Sequence, residues 1–458
     1  MKEPAILRLY DLAWRLSLGM IRTVVRADGW MRRNSTKGRL PGLLPGRWQA
    51  RNRMDFEYPE AGADQGPTVW LHAASLGEAK GLWALAESLL EGINPPGEPG
   101  WRILLSANTA EGFDYLESGI GEWKTRKTKG ESEGRFPRLA ACIAPLDHPD
   151  LVSRFLVVHR VAYVGLYEVE LWPNFIRASV LHGIPVALIS GRMTSRALNR
   201  YRFLRDAWSS LLDRLDWIQA QGESDAARFQ CLTRTPVQAG FDFKAAHYFK
   251  DWDRAAPGRR ADAASADTVS ASGSRIAFIS LHLQELKWLL PELPGLMKRF
   301  PLTIFPRRAG EMELFRKILL PMGFQSHSRS PRARHVLVDS FGKVGGILPE
   351  CESAFVGGSL VPLGCHNLWE PLLAGLRIYF GPSIHNQESL ARLLLDAGIA
   401  EVITVPSQIR EWRKPDPALS GKCVDLAEAQ LRFLEGSRLE FRARLETAMS
   451  RFYLFLDK

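Results

Sequence analysis

The feature that most limits what this chain can fold into is a repeated alternation. Short apolar runs are separated by segments of helical length, first from Thr68 to Gly240 and again from Arg275 onward. The runs of the first series are Val69–Ala74, Ile103–Ala107, Ala140–Pro145, Ala162–Leu166, Pro185–Ser190, Trp217–Gln221 and Val237–Gly240. Those of the second are Ile276–Ser280, Leu302–Phe305, Val336–Val338, Ala354–Gly357, Ile378–Phe380 and Val402–Val405. Strands that read as continuous apolar runs are buried on both faces, which requires a parallel sheet with helices on either side. Two doubly wound α/β units are therefore expected, and 458 residues supply a core for each.

The stretches between complete the plan. Residues 1–45 are a basic N-terminal segment, 46–250 the first α/β domain and 251–274 a linker rich in Ala, Ser, Asp and Gly, too poor in large apolar residues to pack. Residues 275–421 form the second domain, and 422–458 carry a helical pattern expected to cross both. The charged stretch Trp123–Arg138 reads as a surface loop. Ligands of such units sit at the carboxyl ends of strands, so a paired arrangement places a site in a cleft between the domains.

The N-terminal segment has no uninterrupted apolar run long enough to span a bilayer, and no cleavable leader pattern. Arg8, Arg15, Arg22 and Arg26 fall within an arc of about 40° on a helix, with Ile6, Leu9, Leu12, Trp14, Leu16, Met20, Ile21 and Val24 around the rest. That pattern fits a helix lying in a membrane interface with arginines toward anionic headgroups, or one packed on its own domain with a solvated basic edge. The net charge of +10 implies an anionic partner. Nucleic acid is disfavoured, because the basic residues are richest at the amino terminus and no nucleic-acid module is present. Five scattered cysteines fit a reducing compartment and no disulfide framework.

Candidate functional residues follow strand ends. Ser75-Leu76-Gly77-Glu78 closes the first run and opens a helix, whose dipole would hold the Glu78 carboxylate ionised as a base, or would simply be stabilised by it. Glu168 and Glu170, one residue apart where a strand runs on, are expected to point the same way, to bind a cation or sugar hydroxyls or hold nearby arginines, or to form a structural ion-pair network. Arg192 and Arg307 stand at strand ends in the two domains, where a guanidinium suits phosphate or carboxylate. Gly357-Gly358-Ser359 after an apolar run would offer backbone N–H groups to phosphate, or form a tight turn, ahead of Asn367 and Glu370. His282 and His366 also follow strands, without metal-ligand spacing, so no metal site is expected.

In order along the chain, HAASLGE (72–78), APLDHP (144–149), EVELWPN (168–174), SGRMTSRAL (190–198), QGESDAARF (221–229), FPRR (305–308), FVGGSLVPLGCHNLWEP (355–371) and FGPSIHNQ (380–387) resemble the Kdo transferases. That family attaches 3-deoxy-D-manno-octulosonic acid (Kdo) to lipid A in lipopolysaccharide core synthesis. The resemblance implies a GT-B fold, CMP-Kdo as donor, no cofactor or bound metal, and an inverting transfer to a lipid A precursor at the cytoplasmic face of the inner membrane. It implies Glu78 as catalytic base, Arg307 on donor phosphate or carboxylate, and Gly357, Gly358, Ser359, Asn367 and Glu370 around the CMP. Ser75, Gly77, Glu168, Glu170 and Arg192 would support the acceptor side. The sequence departs from the family pattern at Ser190-Gly191, Leu281, Arg308, Lys343 and Cys365, mostly on the donor side. A related CMP-activated sugar, or a nucleotide-sugar-binding scaffold without activity, therefore stays open.

Overall fold

The computed structural model describes residues 4–17, 66–92, 102–128, 138–240, 242–243, 275–340, 344–411, and 430, 432, 433 and 436. The linker 251–274, Lys343 and the arginines from Arg22 onward in the N-terminal segment lie outside them, as does the crossing expected of 422–458. The chain divides into two compact units.

The first unit holds a seven-stranded parallel sheet in the order β3-β2-β1-β4-β5-β6-β7. Its strands are β1 (Thr68–Ala73), β2 (Arg102–Ala107), β3 (Arg138–Ile143), β4 (Val161–Tyr167), β5 (Val186–Gly191), β6 (Trp217–Ala220) and β7 (Val237–Ala239). The second is also seven-stranded and parallel, in the order β10-β11-β9-β8-β12-β13-β14. There β8 is Ile276–Leu281, β9 Leu302–Pro306, β10 Gln325–Ser326, β11 His335–Leu337, β12 Ser353–Val356, β13 Arg377–Phe380 and β14 Ala400–Val402. All thirteen expected runs are strands, twelve of them within two residues at both ends; the last, expected over 402–405, is Ala400–Val402 and shares only Val402 with it. The unexpected one, β10, is a two-residue polar edge strand, too short to leave a period in the sequence.

Every residue of β1, β2 and β5 is buried, which is why these strands are apolar without alternation. Trp70 packs at 4.6 Å from the Phe155 ring and 4.9 Å from Phe175, where burial of each such ring contributes about 2–3 kcal/mol. Its indole donates to Ser106 Oγ at 2.7 Å, and His72 Nδ1 lies 2.9 Å from the same oxygen. These polar contacts fix the register of β1 on β2, since a slip would strand them in the core.

The chain order reverses between β1 and β4 in one sheet and between β8 and β12 in the other. At such a switch point the loops leaving neighbouring strands part to opposite faces and open a crevice at the carboxyl edge.

Trp123–Arg138 is not wholly a loop. The helix Ala110–Thr128 runs through Trp123, because Leu116, Ile120 and Trp123 extend one buried face at i, i+4 and i+7. Arg126 closes it with a 2.6 Å bond to Glu87. Charge density hid a short apolar stripe.

The helix over 5–17 lies on the first unit. Leu7 is buried, Tyr10 donates to Asp147 Oδ2 at 2.8 Å, Arg177 reaches Asp11 at 2.5 Å, and Arg15 binds Asp150 through both nitrogens. Arg15 is thus committed to its own domain rather than free for a headgroup. The opposite face carries Leu9, Leu12 and Leu16, each more than half exposed, with Arg8 at the flank. No described helix is long and apolar enough to cross a membrane.

Candidate active site

In the first unit, β1 ends at Ala73 and the chain turns through Ala74 and Ser75 into the helix Leu76–Gly92. Glu78 reaches back across that turn. Its Oε2 accepts from Ala74 N at 2.7 Å and Ser75 N at 3.3 Å, while Glu78 N donates to Ser75 Oγ at 3.4 Å. Ser75 and Glu78 therefore form a reciprocal cap, and the half-buried carboxylate stands at a switch-point helix N-terminus that favours negative charge. Gly77 is exposed, with room for a Cβ, so its backbone is open to approach.

Glu168 and Glu170 do not share a strand face. β4 stops at Tyr167, and Glu168 takes a left-handed φ of 61°, which breaks the alternation. Both are buried, toward different partners. Glu168 lies 4.0 Å from Arg192 Nη2. Glu170 Oε2 accepts from the Trp172 indole, with Asn108 Nδ2 at 3.5 Å and His72 Nε2 at 3.6 Å. The carboxyl ends of β1, β2 and β4 thus meet in one polar cluster beside Glu78. His72, though inside HAASLGE, and Asn108 are not singled out in the sequence, because only the strand order places them against Glu170.

The second unit repeats the plan with a different outcome. β8 leads through His282 into the helix Leu283–Leu289, and Glu285 Oε2 accepts from His282 N at 3.1 Å. Fully buried, this carboxylate also accepts from Gly358 N at 2.8 Å, Ser359 N at 3.0 Å and Leu360 N at 3.0 Å. The amides expected to face a phosphate are spent on Glu285. Gly357 and Gly358 are glycines for close approach: a Cβ on Gly357 would sit 2.4 Å from Ser280 O, and Gly358 has φ 76°. Ser359 is buried too, its hydroxyl donating to Val356 O at 2.5 Å and accepting from Gly381 N at 2.8 Å. The spacing His282-x-x-Glu285, which parallels Ser75-x-x-Glu78, is the signal that could have revealed Glu285.

At this switch point two exposed arginines, Arg307 and Arg308, stand beside a pair of histidines. His282 Nε2 and His366 Nε2 lie 2.8 Å apart with their rings stacked at 5.1 Å. Burial, Arg307, His282 and Arg308 push His366 down to about 4, and burial first lowers His282 although Glu285 and Glu311 oppose it. The neutral pair shares one proton between the facing nitrogens. Arg307 is exposed at the end of β9, and Arg308 leans on Glu311 at 3.6 Å. Asn367 Oδ1 accepts from Trp369 N at 3.0 Å, which places Glu370 in the first turn of Trp369–Leu373. Among the described residues, no group of three His, Cys, Asp or Glu side chains could hold a metal ion.

Asp147, from APLDHP, is structural. Its carboxylate accepts from Asn174 N at 3.0 Å and Phe175 N at 2.9 Å, capping the helix Pro173–Leu181. Burial pushes it up to about 7 against the pull of these donors and of Tyr10.

Residues 47–246 match the family model described as 3-deoxy-D-manno-octulosonic-acid transferase (kdotransferase). Two relatives are called 3-deoxy-D-manno-octulosonic acid transferase. The Bordetella pertussis protein is 28% identical over 78% of this chain and 81% of its own. The Chlamydia pneumoniae protein is 26% identical over 73% and 74%. Among solved structures, Anabaena HepE in complex with UDP aligns at a TM-score of 0.53 and 13% identity, over 85% of this chain and 100% of that one, a likeness of fold alone.

Proposed function

The chain is a glycosyltransferase of the Kdo transferase family with the two-domain α/β GT-B fold, and from that premise we propose how it works. It transfers Kdo, or a closely related sugar acid, from a CMP-activated donor to a glucosamine hydroxyl of a lipid A precursor, with inversion at the anomeric carbon. The observation that carries this reading is the pair of switch points. One presents a carboxylate, Glu78, and the other an arginine, Arg307, beside an imidazole pair.

Glu78 accepts the proton of the acceptor hydroxyl as its oxygen attacks the anomeric carbon. The bond from that carbon to the phosphate oxygen breaks, and CMP departs with the bonding electrons. Arg307 stabilises the charge gathering on phosphate, while Asn367 and Glu370 orient the nucleotide. Gly357, Gly358 and Ser359 act at one remove, by fixing the loop that carries His366. Ser75, Gly77, Glu168, Glu170 and Arg192 support the acceptor side.

The helix over 5–17 sets the protein against the cytoplasmic face of the inner membrane through Leu9, Leu12 and Leu16. Incubation with CMP-Kdo and an acylated, bisphosphorylated glucosamine disaccharide tests the whole reading. Mass spectrometry should show the acceptor heavier by a Kdo residue with CMP released. An unmodified acceptor alongside intact CMP-Kdo overturns it.

A further inference from the structure

A cavity of about 350 Å³ opens in the first unit between the 5–17 helix, the segment Val169–Pro173 and the helix Arg205–Leu212. Its wall is formed by Leu7, Tyr10, Leu171, Trp172, Tyr201 and Trp208, with the last two rings 4.4 Å apart. Glu170 is the single charged residue in its lining. The size is that of a small-ligand site, and the lining suits an apolar guest.

Directly beside it lies a wider groove that shares Ile6, Leu204 and Ala207 with the cavity and adds Arg202, Arg205 and Arg234. Asp206 and Asp213 also line this groove, but Asp213 is engaged by Thr233 and the Arg234 backbone. Arg205 donates to Cys231 O at 3.4 Å, while Arg202 and Arg234 make no ion pair among the described residues. An apolar hole with an arginine edge complements a molecule that is a hydrocarbon chain at one end and an anion at the other.

Glu170 decides which such molecule. It lines the cavity and also belongs to the His72–Asn108 cluster at the carboxyl ends of β1, β2 and β4. A chain lying here is attached to whatever occupies that cluster, whereas a bilayer phospholipid would have no reason to reach it. We propose that this cavity takes one fatty acyl chain of the anionic glycolipid acceptor, with an acceptor phosphate against Arg202 and Arg234. The assignment rests on the acceptor named above and gives it a built subsite.

Two acceptors test it: the acylated, bisphosphorylated disaccharide and the same disaccharide stripped of every acyl chain. Leu204→Trp fills the cavity from its half-exposed rim and Ala207→Leu from its wall, so one remains should the other misfold. The ratio of kcat/KM for acylated over stripped acceptor falls about tenfold in each filled variant. An unchanged ratio overturns the proposal. A second measurement needs no transfer. Acceptor brominated along its acyl chains quenches tryptophan emission, and Trp208→Phe removes much of that quenching. Quenching undiminished by Trp208→Phe also overturns it. Quenching that depends on Trp208, in a protein that transfers no sugar, sinks the function reading and leaves the acyl subsite standing.

Discussion

Glu78 and Glu285 occupy equivalent places, three residues beyond the turn that ends the first strand of each sheet, and physics gives them different work. Glu285 is sealed among four backbone amides, each of which would lose its partner without it. Glu285→Ala is expected to destabilise the second unit by about 3–5 kcal/mol, the range for uncovering a buried charged network. Denaturant unfolding measures this, and a loss below about 1 kcal/mol would show the cradle to be replaceable. Gly357→Ala should be costly for the same reason, since its Cβ would meet Ser280 O and the Glu285 carboxylate. Glu78 is half-buried at a helix end, so its removal as a cap costs only about 1 kcal/mol. Glu78→Gln should instead lower kcat by about 10²–10⁴-fold with CMP affinity nearly unchanged. Turnover at the wild-type rate would remove it as the base.

Among the elements, the helix over 5–17 and the helix Pro173–Leu181 are joined through one carboxylate. Asp147 caps the second and receives the Tyr10 hydroxyl from the first. With its ionisation raised to about 7, the folded state holds a proton between about pH 4 and 7 that the unfolded chain has released. This contribution is complete below the unfolded value and is lost as pH rises toward 7, at up to about 1.4 kcal/mol per pH unit. His366 acts in the opposite sense. Lowered to about 4, it costs stability as pH falls from about 6.5 toward 4, where the unfolded chain takes up the proton. Thermal unfolding of wild type and Asp147→Asn against pH separates the two. The advantage of wild type over the variant should shrink from pH 4 to 7, and an advantage that grows reverses the assignment.

For the molecule as a whole, a net charge of +10 and an outward row of leucines on a docked helix predict binding to anionic vesicles that weakens with salt. Leu12→Ser combined with Leu16→Ser should release the protein from such vesicles in sedimentation, while both units unfold as before. Undiminished binding would place membrane contact elsewhere.

By itself the sequence determined every strand but the two-residue β10, because a strand covered on both faces must be apolar throughout and helices must fill the gaps between. It also placed Glu78, Arg192 and Arg307 at strand ends, since a period in the chain marks where each strand stops. What it could not contain is which strands become neighbours. Glu285 meets Gly358 across 73 positions only because β8 lies against β12. His72 meets Glu170 only because β1 lies against β4. A glycine loop looks alike in one dimension whether its amides face solvent or a buried carboxylate. Tertiary packing alone decided that, since desolvating a charge is tolerable only where the fold brings enough donors to it.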